Sequence, residues 1–374
     1  MALWTGAHFG CGDDHPPRLK PGVYSPGSGG DSNGFDAGLH DGPPDPDASG
    51  LCGNQIHKTI ANAPNLYFVL DASGSMAVLD SGATRYDRVR IAVVDLVRKL
   101  GPLINVGAAL FPSDVSDQDS CHAGEEVFPV TPGDPFVGED MEGPTTKGLR
   151  LSTLTDPVGG TPTGATLAAL TPTLTSLPGE TIVLLATDGG PNCNPQASCT
   201  AAECMSNLEG TCDPDLNCCA PNGVDGPIFC VDRAATVAAV EALASAGIKV
   251  YVIGIPGSEL YADVLDEMAI AGGAPQQASP FYYRIDDVAA LGGVFSEIAS
   301  VVISCEIDLI DPPPEEGQTN VYLDQNLLLY DPVNGWRWTS PSTIELVGDA
   351  CERLKSGQVG QVQIVSGCPT EVPL

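Results

Sequence analysis

Asn65-Leu66-Tyr67-Phe68-Val69-Leu70-Asp71-Ala72-Ser73-Gly74-Ser75-Met76 is an apolar run of strand length that stops abruptly at an acid and two hydroxyls. An unbroken apolar run bounded by Gly and Ser reads as a central parallel strand, and ligand sites of open α/β sheets lie just beyond the carboxyl ends of such strands. Asp71, Ser73 and Ser75 are therefore expected in the crevice. Asp-x-Ser-x-Ser offers small hard oxygens without a thiol or imidazole, the donor chemistry of Mg²⁺, Mn²⁺ or Ca²⁺ rather than of zinc. Read locally, the same residues are also those of a polar βα turn in which Asp or Ser caps the next helix.

Two later stretches bear on that choice. Gly159-Gly160-Thr161-Pro162-Thr163-Gly164-Ala165-Thr166 is a hydroxyl-rich loop leading into a helix, and Thr181-Ile-Val-Leu-Leu-Ala-Thr187-Asp188-Gly189 is a second apolar strand ending in an acid. The ordered set, DxSxS followed by Thr and then by the Asp of TDG, resembles the von Willebrand factor type A domain with its metal-ion-dependent adhesion site, over roughly residues 62 to 304. The resemblance implies a doubly wound, mostly parallel α/β sheet. It further implies that Ser73, Ser75 and Thr161 touch a cation, Mg²⁺ or else Mn²⁺ or Ca²⁺, while Asp71 and Asp188 hold it largely through water. Thr161 is preferred to Thr163 because the family's threonine follows directly on the Gly of Gly-x-Thr.

Between Gly189 and Cys230 stands a departure from that family, with seven of the chain's 13 cysteines, five acids and no Lys or Arg. The absence of CxxC pairs and of nearby histidine argues for disulfides, hence an oxidising compartment, rather than zinc. The expected organisation is a Gly/Pro-rich acidic tether over 1–60, a type A domain over 61–304 with a disulfide-rich insertion at 189–230, and a small all-β domain over 305–374. In the last of these the apolar period shortens toward two, over 320–330, 336–339, 342–347 and 361–365, and Asn334-Gly335 is a hairpin signal. Trp336 and Trp338 share one strand face and are read as core. A looser resemblance, in the tail Gly367-Cys368-Pro369-Thr370, is to secreted type A proteins of myxobacteria. Topology places Cys121 beside the insertion, so a bond from Cys121 to an insertion cysteine is expected, with Cys351 joined to Cys368. Cys11 is a candidate acylated cysteine of an outer-membrane lipoprotein.

A formal net charge of −32 disfavours nucleic acid and anionic membrane surfaces as partners. No apolar run reaches the roughly 18 residues that a membrane helix needs. Within residues 61–304 there is no Gly-x-Ser-x-Gly or HExxH motif, and of five histidines only His122 falls in the type A domain, so an enzyme is not expected. The expected function is an extracellular or bacterial cell-surface adhesion or protein-binding module, the alternative being a structural subunit of a surface filament. Asp114, Asp117, Asp119 and Glu125, with Glu203 and Glu209 of the insertion, are read as an acidic rim on the cation side. Such a rim calls for a protein ligand whose coordinating Asp or Glu is set in a basic patch.

Overall fold

The computed structural model describes residues 55–56, 59–60, 63–80, 82–113, 121–135, 142–359 and 361–373. Cys11 and the rim acids Asp114, Asp117 and Asp119 lie outside the described residues. The chain enters through two short strands, β1 (Gln55–Ile56) and β2 (Thr59–Ile60), and then runs into β3 (Asn65–Asp71), every residue of which is buried. A small ribbon of β4 (Leu79–Asp80) and β5 (Ala83–Thr84) leads to α1 (Arg85–Leu100), whose first turn is capped by the Thr84 hydroxyl accepting from the Asp87 amide. Strands β6 (Asn105–Phe111) and β7 (Glu125–Pro132) follow, then α2 (Pro144–Ser152), α3 (Thr163–Ser176) and β8 (Thr181–Thr187). The insertion contains the single turn α4 (Met205–Leu208), after which α5 (Arg233–Ser245), β9 (Lys249–Gly254), α6 (Ala262–Ala271), β10 (Tyr283–Arg284) and α7 (Leu291–Val302) complete the α/β part.

Six strands form one sheet in the order β10-β9-β8-β3-β6-β7, parallel throughout except for the antiparallel edge strand β7. The alternation of side chains along β3 divides the core. Leu66, Phe68 and Leu70 pack with Tyr86, Val89 and Val97 of α1 and Phe295 and Ile298 of α7, whereas Tyr67 and Val69 pack with Leu167 of α3, Val240 of α5 and Leu265 of α6. A strand buried on both faces has to be apolar without alternation, and β3 is. The doubly wound α/β fold expected from the sequence is therefore the observed one, and every parallel strand delivers its carboxyl end to the same edge.

Helix α2 was not legible in the sequence, because it is held by a tertiary cap. Asp134, 5% exposed, accepts from the amides of Thr145 and Thr146 at 2.8 Å each and from the Thr146 hydroxyl at 2.6 Å. Gly143 permits the approach, since a Cβ there would fall 2.2 Å from the Asp134 carboxyl carbon. Burial alone would raise the Asp134 pKa, but the bonds from Thr146 and Thr145 outweigh it and hold the carboxyl below its ordinary range. Its contribution is therefore present above the unfolded value and lost as pH falls through the lower folded value. Asp134→Ala should cost about 1–2 kcal/mol in urea unfolding at pH 7, and the gap to Asp134→Asn should narrow as the solution is acidified below pH 4. A pH-independent gap would count against the carboxylate as the active species.

Beyond α7 come β11 (Glu306–Leu309), β12 (Thr319–Leu323), β13 (Asn326–Leu328), β14 (Trp336–Ser340), β15 (Thr343–Leu346), the helix α8 (Asp349–Lys355) and β16 (Val362–Ser366). They build two antiparallel sheets, ordered β1-β16-β12-β13 and β14-β15-β11-β2, around Leu309, Val321, Trp336, Ile344 and Ile364. The end of the expected tether thus supplies an edge strand to each sheet, and two-residue strands carry no period for a sequence reading to find. Trp336 is fully buried, donates its indole N–H to the Leu328 carbonyl at 3.1 Å, and meets Tyr330 and Trp338 edge to face. The hairpin signal at Asn334-Gly335 proves to be a turn between strands of different sheets. The hairpin from β12 to β13 is instead made by Asp324 and Gln325, both at positive φ.

Cys351 also departs from expectation, being bonded to Cys305 rather than to Cys368. The Leu346 amide donates to the Cys305 carbonyl at 2.9 Å, so α8, following directly on β15, returns its cysteine over Cys305. Cys368 lies past β16 in the other sheet and is itself disulfide-bonded. The β unit meets the α/β part at the carboxyl end of α1, where a Cβ on Gly357 would fall 2.5 Å from the Lys99 carbonyl oxygen. That is the edge of the sheet away from Asp71.

Candidate metal centre

At the carboxyl end of β3 the chain leaves the sheet through Ala72, Ser73, Gly74 and Ser75, and this turn is pinned to the loop before α3. The Gly74 amide donates to Gly159 at 2.9 Å and the Val158 amide to Ala72 at 2.8 Å. Strand β8 delivers Asp188 at the same edge. Five side chains that the sequence singled out, those of Asp71, Ser73, Ser75, Thr161 and Asp188, thereby meet. The hydroxyls of Ser73 and Ser75 are 3.1 Å apart, and Ser75 donates to Asp188 Oδ1 at 2.6 Å. A Cβ built on Gly189 would lie 3.6 Å from the Ser75 hydroxyl and 3.7 Å from that of Thr161, so both oxygens face one small space.

Two buried carboxylates in one cradle create an electrostatic problem. Asp71 is fully buried; one oxygen accepts from the Ser73 amide at 2.8 Å and the other from the Thr187 hydroxyl at 2.5 Å. Burial, then the negative charge of Asp188, push the Asp71 carboxyl up to about 7, against the pull of those hydrogen bonds. Burial also raises Asp188, while the bonds from Ser75 and from Arg85, whose Nη1 lies 2.6 Å from Asp188 Oδ2, oppose the rise. Among the described residues, one guanidinium against two carboxylates leaves the cradle short of positive charge. Its donors are all hard oxygens, carboxylate and hydroxyl, which suits Mg²⁺, Mn²⁺ or Ca²⁺ and not a thiophilic metal.

The insertion locks the third loop. The Thr161 amide donates to the Asn192 side-chain oxygen at 2.7 Å, the Asn192 amide donates back to the Thr161 carbonyl at 2.9 Å, and the next residue, Cys193, is bonded to Cys121. A Cβ on Gly160 would fall 2.4 Å from Cys193 Sγ. The other insertion bonds are Cys199–Cys230, Cys204–Cys219 and Cys212–Cys218. The close sulfurs of Cys199, Cys219 and Cys230 are thus disulfide sulfurs rather than free thiolates.

Among the described rim acids, Glu125 is exposed opposite Leu110 at the cation edge of the sheet, and Glu209 accepts the Tyr261 hydroxyl at 2.7 Å beside Gly190. Glu203 is not aimed outward in the same way, since its carboxylate receives the Thr200 amide at 3.4 Å in a local capping box. Arg85, Thr187 and Asn192 were not assigned roles from sequence. Thr187 had a signal, the hydroxyl directly before Asp188. Arg85 and Asn192 had none, because their partners are 103 and 31 residues away.

No protein-family model matches the sequence, and no curated protein matches it. Among solved structures the chain is similar to the pilus adhesin SpaC of Lactobacillus rhamnosus GG, at 15% identity and a TM-score of 0.47 over 83% of this chain and 40% of that one. It is similar also to the vWF domain of the type V pili tip protein Mfa5 of Porphyromonas gingivalis, at 13% identity and a TM-score of 0.43, covering 65% of this chain and 96% of that one. A third is a von Willebrand factor type A structure from Catenulispora acidiphila, at 13% identity, a TM-score of 0.39, and 82% and 59% coverage. The chain thus spans two fifths of the length of SpaC.

Proposed function

We infer that this chain, whose larger domain is a von Willebrand factor type A domain by its strand order and by where its DxSxS, Thr and TDG residues meet, is an extracellular divalent-cation-dependent adhesion or protein-binding module. The observation that carries this reading is the cradle itself, with Asp71 and Asp188 both buried, the hydroxyls of Ser73, Ser75 and Thr161 gathered at the same edge, and among the described residues a single guanidinium bonded to the acids. Ser73, Ser75 and Thr161 are assigned to direct contact with the cation, Asp71 and Asp188 to holding it through water. A bound divalent ion would present an open coordination position to an acidic side chain of a partner. The disulfide framework supports an oxidising, extracellular setting. Among the described residues no helix is long and apolar enough to cross a membrane.

The chain should be stripped of metal, immobilised, and exposed to cell-surface protein extract with Mg²⁺, Mn²⁺ or Ca²⁺. Retention that appears with a cation, is released by EDTA and returns on readdition is the expected result. Retention indifferent to EDTA would overturn the reading.

The partner is proposed to be a protein whose coordinating Asp or Glu sits among Lys or Arg, because Glu125 and Glu209 flank the cradle and the insertion carries no base to offset them. Exposed charges are screened beyond about 8–10 Å at physiological salt, so the rim should act mainly on encounter. Glu125→Gln with Glu209→Gln is expected to slow association of a Lys-rich peptide bearing one glutamate several-fold at low salt, and to matter little at high salt. Stopped-flow association that quickens on neutralisation would reject the charge filter.

A further inference from the structure

Arg85 stands at the first position of α1 and reaches across to β8, where its Nη1 lies 2.6 Å from Asp188 Oδ2. The place is built to receive it. Gly257, at a φ of 115°, lies over the guanidinium, and a Cβ there would fall 2.7 Å from Nη1 and 3.2 Å from the Asp188 carbonyl oxygen. The other side of Arg85 is a wall of an open cleft of about 520 Å³, shared with Val78, Leu79, Pro256, Asp286 and Asp287. The side chain is 20% exposed and that of Asp188 is fully covered. Arg85 therefore touches the buried cradle from one side and solvent from the other, and it is the one base bonded to either acid among the described residues.

The charges decide what this contact does. With both acids ionised, the form that a cation requires, Asp71, Asp188 and Arg85 together carry one negative charge in surplus. A divalent cation turns that into one positive charge in surplus, which one carboxylate neutralises. Without Arg85 the loaded cradle would already be neutral and would have no charge reason to prefer an anion. Arg85 thus opposes the cation and favours the anion, and so ties the two binding events together, because a ligand that neutralises the surplus removes part of the cost of loading the cation.

We propose that Arg85 is the charge-setting residue of the cradle, weakening cation binding in the free protein and making the loaded site select a carboxylate ligand. This rests on the cation reading given above, and its test separates the two. Mn²⁺ is titrated calorimetrically into metal-stripped wild type, Arg85→Gln, Arg85→Met and Arg85→Lys, each in chloride and in sodium acetate at equal ionic strength. The neutral variants should bind Mn²⁺ about tenfold more tightly than wild type, the size expected from removing one nearby like charge in a partly buried site. Arg85→Lys should stay near wild type. Acetate should tighten Mn²⁺ binding several-fold in wild type and in Arg85→Lys, but not in the neutral variants.

Melting in EDTA provides a readout that mere positioning of Asp188 does not predict. The neutral variants should melt lower than wild type without metal, having lost the counterion of two buried acids, yet gain more on adding Mn²⁺. If Arg85 only orients Asp188, both neutral variants will bind Mn²⁺ more weakly, and that result overturns the proposal, as does an acetate effect that survives in them. Should one neutral variant fail to fold, the other and Arg85→Lys carry the comparison. Failure of the cation reading looks different, as wild type would then bind no Mn²⁺, or would bind it no better than Asp71→Asn.

Discussion

Replacing Asp71 by asparagine should weaken cation binding by on the order of a hundredfold, while the fold stays intact. The asymmetry follows from the contacts. One carboxylate oxygen accepts the Ser73 amide, which the asparagine oxygen can do equally, and the other meets the Thr187 hydroxyl, which can accept from the new amide instead of donating. What is lost is the charge. In the metal-free protein the raised pKa, about 7, means that burial disfavours the ionised form. A raised value contributes stability that is present below the unfolded carboxyl value of about 4 and is lost as pH rises through about 7. Metal-free wild type should therefore lose stability between those limits, and Asp71→Asn should not. Because a cation needs the ionised form, cation affinity should fall by up to about tenfold per pH unit below 7. Titration of Mn²⁺ at pH 5.5, 6.5 and 7.5, with parallel melts in EDTA, reads both effects. Wild-type affinity independent of pH, or a variant that binds as wild type does, would remove Asp71 from the centre.

Removing the Cys121–Cys193 bond should cost both stability and cation affinity, unlike removing Cys212–Cys218. The first bond closes a separation of 72 residues and the second one of 6. Chain entropy then ranks them at about 4 and about 2 kcal/mol. Position matters more for function. Cys193 follows the Asn192 that clamps Thr161 by two hydrogen bonds, and its sulfur lies against Gly160, whereas Cys212 and Cys218 belong to the insertion's own cluster of cysteines. Serine at both Cys121 and Cys193 should weaken Mn²⁺ binding about tenfold, the range found when groups that orient metal ligands are removed. Serine at both Cys212 and Cys218 should leave Mn²⁺ affinity unchanged. Equal loss of affinity in the two pairs would mean that the insertion acts as a whole and not through Asn192 and Cys193.

How far the sequence reaches depends on whether a feature is local. Strand β3 was legible because a run buried on both faces must be apolar from end to end, and Asp71, Ser73 and Ser75 because they stand at the carboxyl end of that run, whereas Thr161 and Asp188 were singled out through the resemblance to type A domains. Helix α2 was not legible, because Asp134 caps it from outside. The strands before β3 escaped notice because two residues hold no period, and only their pairing with β16 and β11 makes them strands. Cys351 was assigned the wrong partner because the approach of α8 is set by β15 pairing with β11, a long-range register. The sequence by itself determined the type A fold and the oxygen donors of its cradle, since apolar period and hard-ligand chemistry are properties of short segments. Only the tertiary structure decided that Arg85 answers Asp188 and that Asn192 and Cys193 hold Thr161, because charge balance in a buried site depends on which distant residues the fold brings within hydrogen-bond reach.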